Sequence, residues 1–185
     1  MTQEQIKALV ERYPYLLPRN IETGEIPEDY DYTYISSLAI PEGWNRLFLQ
    51  MCEDIRQPLI DAGYLDKFRF SQVKEKYNTL RCYHFGAPKS VDEIIRKYEI
   101  MAKYVCTKCG KPATIETQGY IASYCDDCYN KLRFKEQTNF SMTIEFKNYF
   151  IYTSYNGKTH KEVKEKISFK DEWDRYVKKL ENNEL

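Results

Sequence analysis

The chain reads as an α+β protein: a small helix and hairpin domain, a compact four-cysteine module, then a C-terminal β-hairpin and helix. Three observations predict this. Apolar residues recur at helical spacing from Trp44 to Leu59. Strand-like runs flank turn residues at Tyr77-Asn78 and at Asn156-Gly157. Two CxxC pairs, Cys106/Cys109 and Cys125/Cys128, stand fifteen residues apart. The divisions these suggest are residues 1–104, 105–135 and 136–185.

Taken in order, Thr2 and Gln5 fit a capping box ahead of Ile6, Leu9, Val10 and Tyr13, so a short N-terminal helix is expected, stopped by Pro14 and Pro18. Residues 18–40 hold prolines, acids and tyrosines without periodicity and read as an irregular segment displaying Tyr30, Tyr32 and Tyr34. Trp44, Leu47, Phe48, Met51, Cys52, Ile55 and Leu59 then form the core stripe of a helix with Pro41 near its start and Gly63 at its C-terminal cap. Cys52 belongs to that stripe and reads as a buried small hydrophobe.

Residues 68–85 read as a β-hairpin turning at Tyr77-Asn78. Alternation places Gln72, Lys74 and Lys76 on one face, and a two-residue turn sets Lys74 opposite Arg81. Like charges across a strand pair repel, so the arrangement suits an anion or acidic partner. Tyr77 and Tyr83 lie beside it. The competing reading is a solvated edge whose lysines block aggregation. Ser90 with Glu93 suggests a capping box opening a helix through Val91, Ile94, Tyr98 and Met101, which runs almost directly to Cys106.

The cysteine spacing matches a four-thiolate zinc site, and four cysteines leave no open position for a catalytic water. Cys106-Thr-Lys-Cys109-Gly110 has the form of a knuckle. Thr114–Gln118 and Tyr120–Tyr124 should form a small hairpin about Gly119, and Cys125-Asp-Asp-Cys128 should start a helical turn running to Tyr129 and Leu132. This is a zinc-ribbon or treble-clef-like module with a structural Zn2+. A redox dithiol in either CxxC is the alternative, but it leaves the common spacing unexplained.

Beyond the module, Asn156-Gly157 is the preferred centre of a type I′ turn. Pairing Tyr155 with Lys158 places Ile144 opposite Phe169, Phe146 opposite Ile167 and Phe150 opposite Val163. A final helix carrying Phe169, Trp173, Tyr176, Val177 and Leu180 is the natural cover for that apolar face.

Among these residues, the chain resembles a group of bacteriophage and prophage proteins of gut bacteria. The resemblance rests on Tyr13-Pro14, Leu17-Pro18-Arg19-Asn20, Asp29-Tyr30-Asp31-Tyr32, Pro41-Glu42-Gly43-Trp44 and Met51-Cys52-Glu53. It continues through Gln72-Val73-Lys74-Glu75-Lys76-Tyr77, Leu80-Arg81-Cys82-Tyr83 and the four cysteines. It spans roughly residues 10–130, with 136–185 as an addition, and members carry glycine where this chain has Asn78 and Thr79. It implies a phage context and a zinc ribbon, and no activity.

Composition narrows the function classes. The 185 residues carry equal numbers of basic and acidic side chains, with 42% hydrophobic and 30% charged. No apolar run approaches the roughly 18 residues of a membrane span. The start, Met1-Thr2-Gln3-Glu4-Gln5, shows no secretory pattern, so the cytoplasm of a bacterial host cell is expected. Charge is uneven. Residues 1–65 hold 5 Lys/Arg against 11 Asp/Glu, whereas residues 66–135 hold 14 against 8, a balance of +6. The middle of the chain is therefore the anion-facing region.

Two binding functions follow. One is a non-catalytic nucleic-acid binder using Gln72, Lys74, Lys76, Tyr77, Arg81 and Tyr83. The other is a protein-binding regulator or inhibitor of a host or anti-phage defence enzyme, using Tyr30, Tyr32 and Tyr34 among the 17 tyrosines. Catalysis is the weaker reading, because His84 and His160 are the only imidazoles and neither sits in a nucleophile or hydrolase motif. The oligomeric state is not written in the sequence.

Overall fold

The computed structural model describes residues 3–17, 23, 25, 40–132, 141–156 and 161–182. Most of the irregular segment 18–40, with Tyr30, Tyr32 and Tyr34, lies outside them. The elements are mixed helix and sheet, as the α+β reading expects.

The first helix, α1 (Gln3–Arg12), ends ahead of a 3₁₀ turn at Pro14–Leu16 that buries Tyr15 and Leu16. A second 3₁₀ turn, Glu42–Trp44, leads into α2 (Asn45–Asp61). Leu47, Phe48, Met51, Cys52, Ile55 and Leu59 face inward and are buried, which is the predicted stripe. The helix closes as a Schellman motif: Gly63, at φ 67, donates to the Ile60 carbonyl while Tyr64 donates to that of Leu59.

Against α2 lies the antiparallel hairpin β1 (Arg69–Glu75) and β2 (Leu80–Phe85). Its register sets Lys74 opposite Arg81 and Gln72 opposite Tyr83, as the two-residue turn predicts. A bulge between Phe70 and Gln72 resets the inward face. Phe68 and Phe70 point into the core before it and Val73 after it, so Gln72 and Lys74 emerge outward.

The next helix, α3 (Lys89–Met101), packs on α2 and β2. Its start corrects the expected capping box. Pro88 is the N-cap, no side chain caps the end, and the Pro88 carbonyl takes the amides of Val91 and Asp92. Ser90 thus sits inside the first turn, where its hydroxyl is past the capping position. A 3₁₀ turn at Ala102–Tyr104 then carries the chain to Cys106.

The cysteine module contains β3 (Ile115–Thr117), β4 (Ser123–Tyr124) and the short helix α4 (Asp126–Asn130). Strand β5 (Ser141–Thr143) adds to β3, giving a three-stranded sheet in the order β4-β3-β5. A separate hairpin pairs β6 (Tyr149–Asn156) with β7 (Lys161–Ser168), and α5 (Lys170–Glu181) closes the chain.

The register of this last hairpin differs from the sequence reading. Asn156 pairs with Lys161, where the expected Asn156-Gly157 turn would pair Tyr155 with Lys158; residues 157–160 lie outside the described residues. Phe150 now faces Ile167 and Ser154 faces Val163. The partner shift is four residues, an even number, so each side chain keeps its face while changing its partner. Ile144 and Phe146 leave the hairpin altogether. Ile144 donates to Thr114 beside β3, and the Phe146 ring packs 4.7 Å from Trp173 and 5.0 Å from Tyr104.

Phe169, the N-cap of α5, and Trp173 and Tyr176 within the helix belong to the same buried cluster as Trp44, Met51, Tyr98 and Val105. A polar set reinforces this packing. Arg175 grips Asp54 with two nitrogens, Tyr98 donates to Asp54, and Gln50 donates to Tyr98 and to the Glu172 carbonyl. No helix among the described residues is long and apolar enough to cross a membrane.

Candidate metal centre and the hairpin beside it

The chain leaves α3 through an isolated bridge between Val105 and Pro112 and tightens into the first knuckle. Gly110, at φ 80, donates to the Cys106 carbonyl, and Cys106 donates to that of Lys111. The β3–β4 hairpin turns at Gly119, at φ 84. Cys125 is the N-cap of α4, and Cys128 lies in its first turn. Of the two expected arrangements, this order of knuckle, hairpin and helix is the treble-clef-like one.

The four sulfurs of Cys106, Cys109, Cys125 and Cys128 lie within 4.8 Å of one another, with Cys109 and Cys125 at 3.6 Å. Tetrahedral metal–sulfur bonds of about 2.3 Å set sulfurs roughly 3.8 Å apart. The cluster can therefore hold a metal ion with little movement. Burial pushes the Cys106 thiol up, but backbone amides of Cys125, Cys109 and Lys108 aimed at its sulfur outweigh this and leave it below its ordinary value. Amides directed at sulfur are what a knuckle offers a thiolate ligand. Beneath the cluster, among the described residues, lies a small core of Ala122 and Tyr124 flanked by Tyr129 and Leu132.

Several contacts seat the module on the helical domain, and two of them come from the N-terminal half of the chain. The first is Gly43, which donates to the Thr107 carbonyl at 3.0 Å. A Cβ there would fall 2.1 Å from the Cys106 oxygen and 2.8 Å from the Gly110 nitrogen, so only glycine admits the knuckle. Its neighbour Trp44 donates from Nε1 to the Val105 carbonyl at 3.1 Å. The second is Asn78, 1% exposed at the β1–β2 turn. Its Nδ2 donates to Glu116 at 2.9 Å and to Ser123 Oγ at 2.7 Å, while its Oδ1 accepts from the Ser123 amide.

That turn is of type I′: Lys76 and Thr79 exchange both backbone hydrogen bonds, and Tyr77 and Asn78 have φ 52 and φ 57. Asparagine suits this conformation. Tyrosine does not, and left-handed backbone costs it on the order of 1 kcal/mol relative to glycine. Tyr77 recovers none of this by burial, being 72% exposed.

The structure brings the predicted binding residues onto the outward face and tip of one hairpin. Gln72, Lys74, Arg81 and Tyr83 share the face away from the core, and Lys76 and Tyr77 form the tip. The Lys74 amine lies 5.3 Å from the Tyr83 ring centre, and that of Lys76 lies 5.5 Å from the Tyr77 ring. Arg81 is half-buried, with its Nε enclosed and without a hydrogen-bond partner, so the lysines are the more available cations. Residues 30, 32 and 34, the other candidate interface, lie outside the described residues.

Sequence reasoning missed Tyr120. It follows Gly119 at the tip of the β3–β4 hairpin, is 79% exposed, and shares a cleft of about 400 Å³ with Lys76, Tyr77 and Ile121. A large aromatic directly after a turn glycine was the available signal. Comparisons with protein-family models, curated proteins and solved structures found no match.

Proposed function

We propose that this is a non-catalytic zinc protein of phage or prophage type, working in the reducing cytoplasm of a bacterial cell. It contacts nucleic acid through the basic face and tip of the β1–β2 hairpin. Four thiol ligands around one tetrahedral volume favour Zn2+, and a closed set of four makes its role structural. Bound there, the ion cross-links knuckle and helix in a module whose own core is too small to fold alone. Cys106, Cys109, Cys125 and Cys128 would hold it.

The observation that carries the nucleic-acid reading is the register that sets Lys74 directly opposite Arg81 with Tyr83 beside them on the solvent face. Such a pair repels unless an anion bridges it. Phosphate backbones supply anions at regular spacing, and tyrosines among lysines suit the bases between them. Two carboxylates at the turn of this hairpin are already engaged: Glu75 accepts the Asn78 amide at 2.6 Å, and Glu116 accepts the Asn78 side chain.

Fluorescence anisotropy of the zinc-loaded protein with labelled DNA and RNA over a salt series tests this. Micromolar or tighter binding that weakens with salt is expected, with Lys74→Glu combined with Lys76→Glu removing it at unchanged zinc content. Absence of binding at low salt, or full binding by the double variant, overturns the assignment and directs the search to a protein partner.

A further inference from the structure

We infer that Tyr77 and Tyr120 form a clamp that takes an unpaired base of a single-stranded nucleic acid, with Lys74 and Lys76 on the flanking phosphates. The inference rests on the nucleic-acid reading above and narrows it to one strand form. Tyr77 and Tyr120 are the two most exposed large apolar side chains among the described residues, and both line the same cleft. They project from two separate turns, so their placement is not an accident of one loop.

Both turns are anchored. Asn78 buries the base of the first through Glu116 and Ser123. In the second, Thr117 Oγ1 donates to the Tyr120 carbonyl at 2.7 Å, and the same oxygen accepts the Ala122 amide. Aromatic rings held on rigid tips lose little freedom when a base enters, which is the economy of a stacking platform. The backbone points the same way. Tyr77 occupies a left-handed position that glycine or asparagine fills more easily, and it gains no burial in return. A residue set against local preference and displayed to solvent is explained by what it meets there. In a duplex the base faces are already stacked, so the clamp selects unpaired bases.

Binding is measured by anisotropy with three labelled probes of equal length: a single strand, its duplex, and an abasic single strand that keeps every phosphate. Wild-type protein should bind the intact strand about tenfold or more tightly than the abasic one. Tyr77→Gly and Tyr120→Ala should each erase that preference, and Tyr77→Trp should keep it. Tyr77→Gly relieves the left-handed strain, so its melting temperature should hold or rise, and lost binding cannot then be ascribed to unfolding. Equal binding of intact and abasic strands, or an unaffected Tyr77→Gly variant, overturns the clamp and leaves the backbone reading standing. Failure to bind any probe overturns both.

Discussion

The hydroxyl of Tyr176, on the C-terminal helix, donates a 2.6 Å hydrogen bond to the carbonyl of Gly110, which closes the first cysteine knuckle. Tyr176 is fully buried, and the bond joins residues 66 positions apart. The last helix and the metal centre are thereby mechanically linked. Tyr176→Phe leaves a buried carbonyl without its donor, which should cost about 1–3 kcal/mol in denaturant unfolding. It should also weaken metal retention against a competing chelator. A variant of normal stability and normal metal retention would show the bond to be incidental.

Gly43 tests the same seat from the other side. In Gly43→Ala the new methyl meets backbone atoms rather than a movable side chain, the nearest at 2.1 Å. Either α2 or the knuckle must move. The expected loss is about 3 kcal/mol, the upper range for overpacking, with reduced zinc affinity. Thermal melts at saturating and limiting zinc separate the two contributions, and a melt like that of the unaltered protein would refute the close approach.

For Asn78, two substitutions divide backbone from side chain. Asn78→Gly keeps the left-handed turn but loses the bonds to Glu116 and Ser123. Asn78→Ala loses the bonds and also strains the turn at φ 57. The alanine variant should therefore be the less stable by about 1–2 kcal/mol. Equal stabilities would mean that the turn is not left-handed in solution.

What the sequence discloses follows the range of the interactions. The β1–β2 register was legible as far as the bulge at Phe70/Gln72, because a two-residue turn determines the pairs next to it, Lys74 with Arg81 included. The cysteine cluster was legible because each CxxC pair is local and the second begins a helix. The β6–β7 register was not, although Asn156-Gly157 is a strong turn signal. Local turn preference yielded there to Phe150 meeting Ile167, and to Phe146 joining Tyr104 and Trp173 instead. Gly43 and Asn78 take their roles from partners brought close only by the fold, and single-sequence periodicity carries no trace of that.

Buried phenols predict an alkaline limit to stability. Burial pushes Tyr15, Tyr98 and Tyr176 well above the ordinary value, with the Asp54 charge adding to Tyr98. Burial, followed by its bond to Glu53, pushes Tyr13 up to about 12. A phenol with a raised folded pKa holds its proton more tightly when folded. Its contribution is complete below the ordinary value of 10.0 and is lost as pH rises through the folded value. The buried set should ionise in one cooperative step coincident with loss of helical circular dichroism. Smooth ionisation of all the tyrosines before any unfolding would contradict the burial of this set.

The six cysteines provide a closing comparison, because the fold divides them into two kinds. Cys52 and Cys82 are buried in the main core, and burial pushes both thiols up, so they act as small apolar groups. Cys106, Cys109, Cys125 and Cys128 converge on one point. Serine at any of these four should abolish stoichiometric zinc in elemental analysis and unfold the module, since binding there is folding free energy. Cys52→Ser and Cys82→Ser should instead retain a full zinc complement while losing about 1–3 kcal/mol from a buried hydroxyl. Two-state melts with metal content measured on the same samples distinguish the classes. Zinc loss on substituting Cys52 alone would place a core cysteine at the metal, which this geometry forbids.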